Sequence, residues 1–86
     1  MMSDALHDRI RNFVLENFLF SDDKDLLGLD DSLLGKGIVD STGMLEVILF
    51  IEEEFAVKVA DSDMVPENLD SVNRIASYIA SRRKAG

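Results

Sequence analysis

Asp40 and Ser41 stand where a loop passes into a helix, in Gly37-Ile38-Val39-Asp40-Ser41-Thr42-Gly43. Asp40 suits the N-cap and Ser41 the first helical turn, so the Ser41 hydroxyl is expected to face outward. A helix start supplies free backbone N–H groups and a positive partial charge, so a phosphate carried on that hydroxyl would be tolerated or favoured. The position suits a phosphodiester. Nothing in the chain turns Ser41 into a nucleophile: His7, the only histidine, is remote in sequence, and no Gly-x-Ser-x-Gly elbow is present. Any chemistry at Ser41 is therefore installed by another enzyme. On these residues alone, a plain capping role for the pair stays open.

Other chemistries find less support. Asp23, Asp25, Gly28 and Asp31 match the first, third, sixth and ninth places of an EF-hand loop, but Leu27 and Leu34 fall where a fifth-position ligand and the bidentate Glu are needed. No metal site is expected. His7 lies near a helix start, where a solvated surface residue is expected, and is assigned no role. The absence of cysteine excludes a disulfide framework and a thiolate zinc site. An enzyme reading has no catalytic constellation behind it.

The elements that would position Ser41 follow from length and pattern. Eighty-six residues, 47% of them hydrophobic and 30% charged, suit one small globular domain. Glycines are few and Pro66 is the only proline, so strand punctuation is nearly absent and the fold is expected to be all-α. The first helix is placed at about 4–18, with Leu6, Ile10, Phe13 and Val14 on one face, Ser3 as N-cap, and Asp4 and Asp8 near the positive end of its dipole. The second is placed at about 41–55. The last, at about 71–83, is entered through Asp70, buries Val72, Ile75, Ala76, Ile79 and Ala80, and ends with the favourable cations Arg82, Arg83 and Lys84. A short helical turn is expected at about 61–65, with Pro66 helping to end it, and a fraying tail at 84–86.

Residues 19–40 form a connection longer than the ~12–15 residues common for structureless loops. Its Leu26, Leu29, Leu33, Leu34, Ile38 and Val39 are too many apolar groups to leave in water, so the loop is expected to be pinned to the helices and ordered in its second half.

On a helical wheel, Met44, Val47, Ile48, Ile51 and Phe55 fall within one arc of about 100° and read as core. Thr42, Leu45, Glu46, Leu49 and Glu53 fall opposite, mixing leucines with carboxylates where an ordinary surface would be polar. Leu45 and Leu49 could pack under the long loop or simply be exposed leucines. The alternative is a docking strip, with apolar anchors for affinity and acids to steer basic partners. Ser21 to Asp63 holds twelve acids against three bases, and the whole chain carries −8. That charge repels phosphate backbones and anionic lipid, so nucleic acid and membrane surfaces are poor partners and a basic protein surface is the better fit. No targeting segment and no run of ~20 apolar residues is visible, so a cytoplasmic address is expected; a monomer is also expected.

Asp30-Asp31-Ser32-Leu33-Leu34, then Gly37-Ile38-Val39-Asp40-Ser41, then a helix ending Ile51-Glu52-Glu53-Glu54-Phe55, resemble the acyl carrier protein family, including its peptidyl and aminoacyl relatives. The resemblance covers nearly the whole chain, because the last helix with Val72, Ile75, Tyr78 and Ile79 also falls in the family's order. It implies a small four-helix bundle, three longer helices and a short one, with a long ordered loop between the first two. It further implies a non-catalytic, stand-alone carrier whose Ser41 receives 4'-phosphopantetheine from coenzyme A through a phosphopantetheinyl transferase. The arm's thiol would hold an acyl or aminoacyl group as a thioester and pass it between loading ligases and synthases of fatty-acid, polyketide or other specialised biosynthesis. Asp40 is similar to the family's acidic position that helps present the transferase's metal-bound coenzyme A. The recognition helix carries over to Leu45, Glu46, Leu49 and Glu53. Thr42 stands where many members have leucine, and the Gly-Ile-Val-Asp-Ser entry looks more like carriers of polyketide, nonribosomal and D-alanyl systems; partner choice, not attachment, turns on that difference. The rival reading is an acidic helical adaptor that binds a basic protein and carries no prosthetic group.

Overall fold

A computed structural model describes residues 2–85, with side chains at 5–83. The described residues form a compact all-helical bundle of radius of gyration 11.9 Å with no strand. Helix α1 (Met2–Val14) continues into one π-helical turn at Leu15–Leu19. A 3-10 turn follows at Lys24–Leu26, then α2 (Ser41–Phe55), a 3-10 turn at Asp61–Asp63, the short α3 (Pro66–Leu69) and α4 (Val72–Ala85). Helix α1 already includes Met2, so Ser3 lies inside the first turn and does not cap it; the side chains of Ser3, Asp4 and Lys84, and residue Gly86, lie outside the described residues.

Ile10, Val14 and Leu15 of the first helical stretch are fully buried, with Leu6 and Phe13 packed at the core's edge. A π turn begins where α1 ends, and Leu15, its first residue, is buried beside Val14. The turn ends at Phe20, which takes the left-handed conformation (φ 53°) and donates its N–H to the Leu15 carbonyl. Ala56 closes α2 in the same conformation (φ 55°). Aromatic rings join α1 to α2: Phe13 stacks on Phe50 at 4.0 Å between centroids, Phe18 meets Phe13 edge-on, and Phe55 meets Phe50 edge-on. Arg9 lies over the Phe55 ring and pairs with Glu54.

The long loop is pinned in two ways. Leu27, Leu33 and Val39 are buried, at ~1.5–3 kcal/mol for each full burial, while Leu29 and Ile38 are half-buried. Leu26 and Leu34 do not join them: Leu26 is exposed and Leu34 is left partly open on the surface, while the neighbouring leucine of each, Leu27 or Leu33, takes the buried side. Polar bonds reach across to the far end of the chain. Asn73 donates its backbone N–H to the Leu29 carbonyl (2.9 Å) and its amide to Asp30 (2.5 Å).

The approach to the last helix differs from the expected one. Ser71, buried, is its N-cap: the Ser71 hydroxyl accepts from the Arg74 N–H at 3.1 Å. Asp70 instead ends α3 and turns toward the long loop. Pro66 begins α3 and does not end a turn before it, because a proline at a first helical position has no N–H to leave unsatisfied and a suitable φ. Val65 before it is extended, as a residue preceding proline prefers. On α4, Val72, Ile75, Ala76 and Ile79 are buried, Ala80 is exposed, and α1 and α3 pack on this helix. Tyr78 is also buried and donates its hydroxyl to Asp63 at 2.9 Å. Burial, then the Asp63 carboxylate, push that phenol above its usual range.

Candidate functional site

Asp40 is extended (φ −95°, ψ −176°), and its Oδ1 accepts from the Gly43 N–H at 2.6 Å while its carbonyl accepts from the Met44 N–H at 2.9 Å. It is the N-cap of α2. The side-chain bond satisfies one orphan donor of the first turn and ties up one carboxylate oxygen. We expect Asp40→Ala to cost about 1 kcal/mol, read as a fall in melting temperature of roughly 4–8 °C for a chain of this size.

Ser41 follows as the first helical residue and is exposed. Among the described residues no partner engages its hydroxyl. The first turn of α2 carries no acidic residue of its own, so the positive end of the helix is uncompensated there except by Asp40. Thr42 is exposed beside it. Gly43 is buried, and a Cβ there would stand 2.8 Å from the Phe18 ring and 3.1 Å from the Asp40 carboxylate. The glycine thus lets the π turn that follows α1 press against the first turn of α2, which fixes where Ser41 is presented.

Helix α2 divides by face. Val47, Ile48 and Ile51 are buried, and Met44 and Phe55 are half-buried. Leu45 and Leu49 are 57% and 55% exposed, and Glu46 and Glu53 are exposed with them. The leucines therefore do not pack under the long loop. Thr42, Leu45, Glu46, Leu49 and Glu53 are brought onto one open side, next to Ser41 at one end.

A groove of about 240 Å³ opens beside Ser41. Ser41, Met44, Leu45 and Ile48 of α2 line one side, Met64, Val65 and Pro66 the other, and Leu34 and Leu69 complete it. Sequence reasoning placed Met44 in the core and passed over the Met64-Val65-Pro66 triplet. Its signal was three apolar residues in a row within an acidic turn, with two flexible methionines able to face each other.

The acids of the long loop serve the backbone. Asp23 accepts from the Asp25 N–H at 3.0 Å, and Asp31 accepts from the Gly28 N–H at 2.8 Å and pairs with Lys36 at 3.4 Å. The Gly28 bond holds the Asp31 carboxyl below its ordinary range, with Lys36 acting in the same direction. Leu27 points into the core, and no group of three or more His, Asp or Glu side chains among the described residues could hold a metal ion. His7 is half-buried on α1.

The geometry can therefore accept a phosphate ester on an exposed hydroxyl at a helix start, and it offers an apolar groove within reach of whatever that ester carries. No helix among the described residues is long and apolar enough to cross a membrane. No family model matches the chain. Individual relatives do. The acyl carrier protein of Bdellovibrio bacteriovorus is 28% identical over 81 residues, which span 94% of this chain and 99% of that protein. The acyl carrier protein of Campylobacter lari is 28% identical over 80 residues, 93% of this chain and 99% of its own length. The D-alanyl carrier protein of Abiotrophia defectiva is 32% identical over 54 residues, covering 63% of this chain and 68% of that one. Similarity at this level over nearly the full length, joined to an all-helical bundle, shows that the chain belongs to the acyl carrier protein family.

Proposed function

We propose that Ser41 is the point at which a phosphopantetheinyl transferase attaches 4'-phosphopantetheine, and that the protein carries an acyl or aminoacyl group between enzymes. Carriers of this family are non-catalytic and typically bear that arm. The observation that carries the reading is an exposed Ser41 hydroxyl, unbonded among the described residues, at the first position of a helix whose N-cap carboxylate is already engaged. When attached, the arm supplies a thiol that holds cargo as a thioester, which a chain without cysteine cannot supply itself. The protein's own residues do the rest. The helix start faces the phosphate with N–H groups, Asp40 holds that first turn in place, and Gly43 against Phe18 sets its position. Asp40 is also the group we assign to presenting the transferase's metal-bound coenzyme A. The test is the intact mass before and after incubation with a phosphopantetheinyl transferase, magnesium and coenzyme A. A gain of the arm supports the carrier; an unchanged mass leaves the acidic adaptor.

Thr42, Leu45, Glu46, Leu49 and Glu53 are assigned to docking. Two exposed leucines supply apolar contact, and two carboxylates steer basic surfaces of the transferase, loading ligases and synthases. Reversing Glu46 or Glu53 to lysine is expected to slow transferase loading by about 3–10-fold at low salt and to flatten its salt dependence. Stopped-flow loading across a salt series measures this, with far-UV circular dichroism unchanged. Equal loading rates in both variants would remove the docking assignment.

A further inference from the structure

Arg9 shows what this bundle does with a guanidinium. It lies over the Phe55 ring at 5.1 Å and pairs with Glu54, so an aromatic ring and a carboxylate share one cation. Further along the same face of the first helical stretch, rings and a carboxylate meet again. A shallow groove of about 240 Å³ runs between the two long helices, lined by Arg9, Asn12, Phe13 and Glu16 on one side and by Phe50 and Glu54 on the other. Phe13 and Phe50, stacked at 4.0 Å between centroids, are half-buried and leave part of their surface open in it. Glu16 and Asn12 are exposed, and among the described residues no partner engages either side chain. Arg9 holds Glu54 through Oε2 alone. On α2, Phe50 follows Glu46 by four residues and precedes Glu53 by three, so the groove adjoins the strip of exposed acids and leucines.

We propose that this groove takes one arginine side chain of a basic protein docked along α2, with Glu16 as the residue that selects it. This rests on the assignment of Thr42, Leu45, Glu46, Leu49 and Glu53 to docking. The arginine's methylene stem lies on Phe13 and Phe50, and its guanidinium donates to the Glu16 carboxylate and the Asn12 side-chain carbonyl. A planar fork can give two parallel hydrogen bonds to one carboxylate, which the point charge of a lysine cannot, so arginine is preferred. A second copy of this chain is a poor occupant. It would set Glu16, Glu46 and Glu53 against the same acids in a chain that already carries −8.

The experiment titrates N-acetylarginine amide and N-acetyllysine amide, at fixed ionic strength, into the isotope-labelled full chain and follows its amide resonances. The arginine probe is expected to shift the Asn12 side-chain amide and the backbone amides of Phe13, Glu16 and Phe50 to saturation, and to bind more tightly than the lysine probe. Glu16→Gln is expected to weaken arginine binding about 2–5-fold, the worth of an exposed charge pair, and to erase the preference over lysine. Its fold should be unaffected, since Glu16 is exposed and engages no partner among the described residues. Glu67→Gln removes the same charge from exposed α3 and should leave arginine binding unchanged. Equal binding of the two probes, or an equal loss in Glu67→Gln, would reduce the effect to net charge and overturn the inference. Movement of the same resonances when the protein is concentrated without a probe would assign the groove to a second copy and overturn it too. Arm attachment is read separately by intact mass. A chain that takes no arm but keeps the arginine preference loses the carrier reading and not this inference, because an acidic adaptor would dock through the same strip. A chain that takes the arm and shows no preference overturns this inference alone.

Discussion

With Ser41 replaced by alanine, the mass of the protein stays unchanged after incubation with transferase, magnesium and coenzyme A, while the wild type gains the arm. The loss is complete because the substitution removes the only oxygen through which a phosphodiester at this position could form. It is also clean. Ser41 is the first helical residue and not the cap, and no partner among the described residues engages its hydroxyl. Alanine is the best helix former, so folding stability should change by less than about 0.5 kcal/mol. Matching thermal melts of the two unmodified proteins, measured beside the mass spectra, separate a lost attachment point from a lost fold. An alanine variant that still gains the arm would place attachment elsewhere.

The second large effect lies on the buried face of the same helix. Ile51 is fully buried among the core residues. Ile51→Ala should cost about 2–5 kcal/mol, the lost transfer energy plus the cavity that remains. A chain of this size has on the order of 4–13 kcal/mol in all at ~0.05–0.15 kcal/mol per residue. The melting temperature should therefore fall on the order of 10–30 °C. Leu49→Ala, two residues away but 55% exposed, should stay within about 0.5 kcal/mol of wild type. Thermal denaturation of both variants checks the contrast; equal losses would show that Leu49 is not the open residue described.

The all-helical class and the division of α2 into two faces were legible because both rest on periodicity over many residues, as in Val47, Ile48 and Ile51 against Leu45 and Leu49. What was not legible depended on contacts between distant residues or on unusual backbone. Phe20 and Ala56 occupy left-handed helix ends where glycine is the usual marker, so the ends of the first two helical stretches carried no glycine signal. The π turn at Leu15–Leu19 breaks the period that sequence reasoning assumes. Asp70 reads as an N-cap by type and place, but Ser32 and Leu34, more than thirty residues earlier, draw its carboxylate away and leave capping to Ser71. Leu26 and Leu34 were expected inside because a count of leucines does not say which of two neighbours turns inward. Of the groove, Met44, Leu45 and Ile48 fell on faces that sequence periodicity had marked; the Met64-Val65-Pro66 wall is irregular chain brought opposite by folding. Gly43 was also missed, since its reason is the Phe18 ring and not a turn.

The opposed faces of α2 have an evolutionary consequence. Leu49 is open to solvent while Val47 and Ile51 are closed off, so substitutions at the outer position and at the inner ones act on different surroundings and their effects on stability should nearly add. Lineages could rewrite the outer residues for a new enzyme without endangering the bundle, and repack the inner ones without altering which enzymes are recognised. A single fifteen-residue rod would then hold two separately heritable traits.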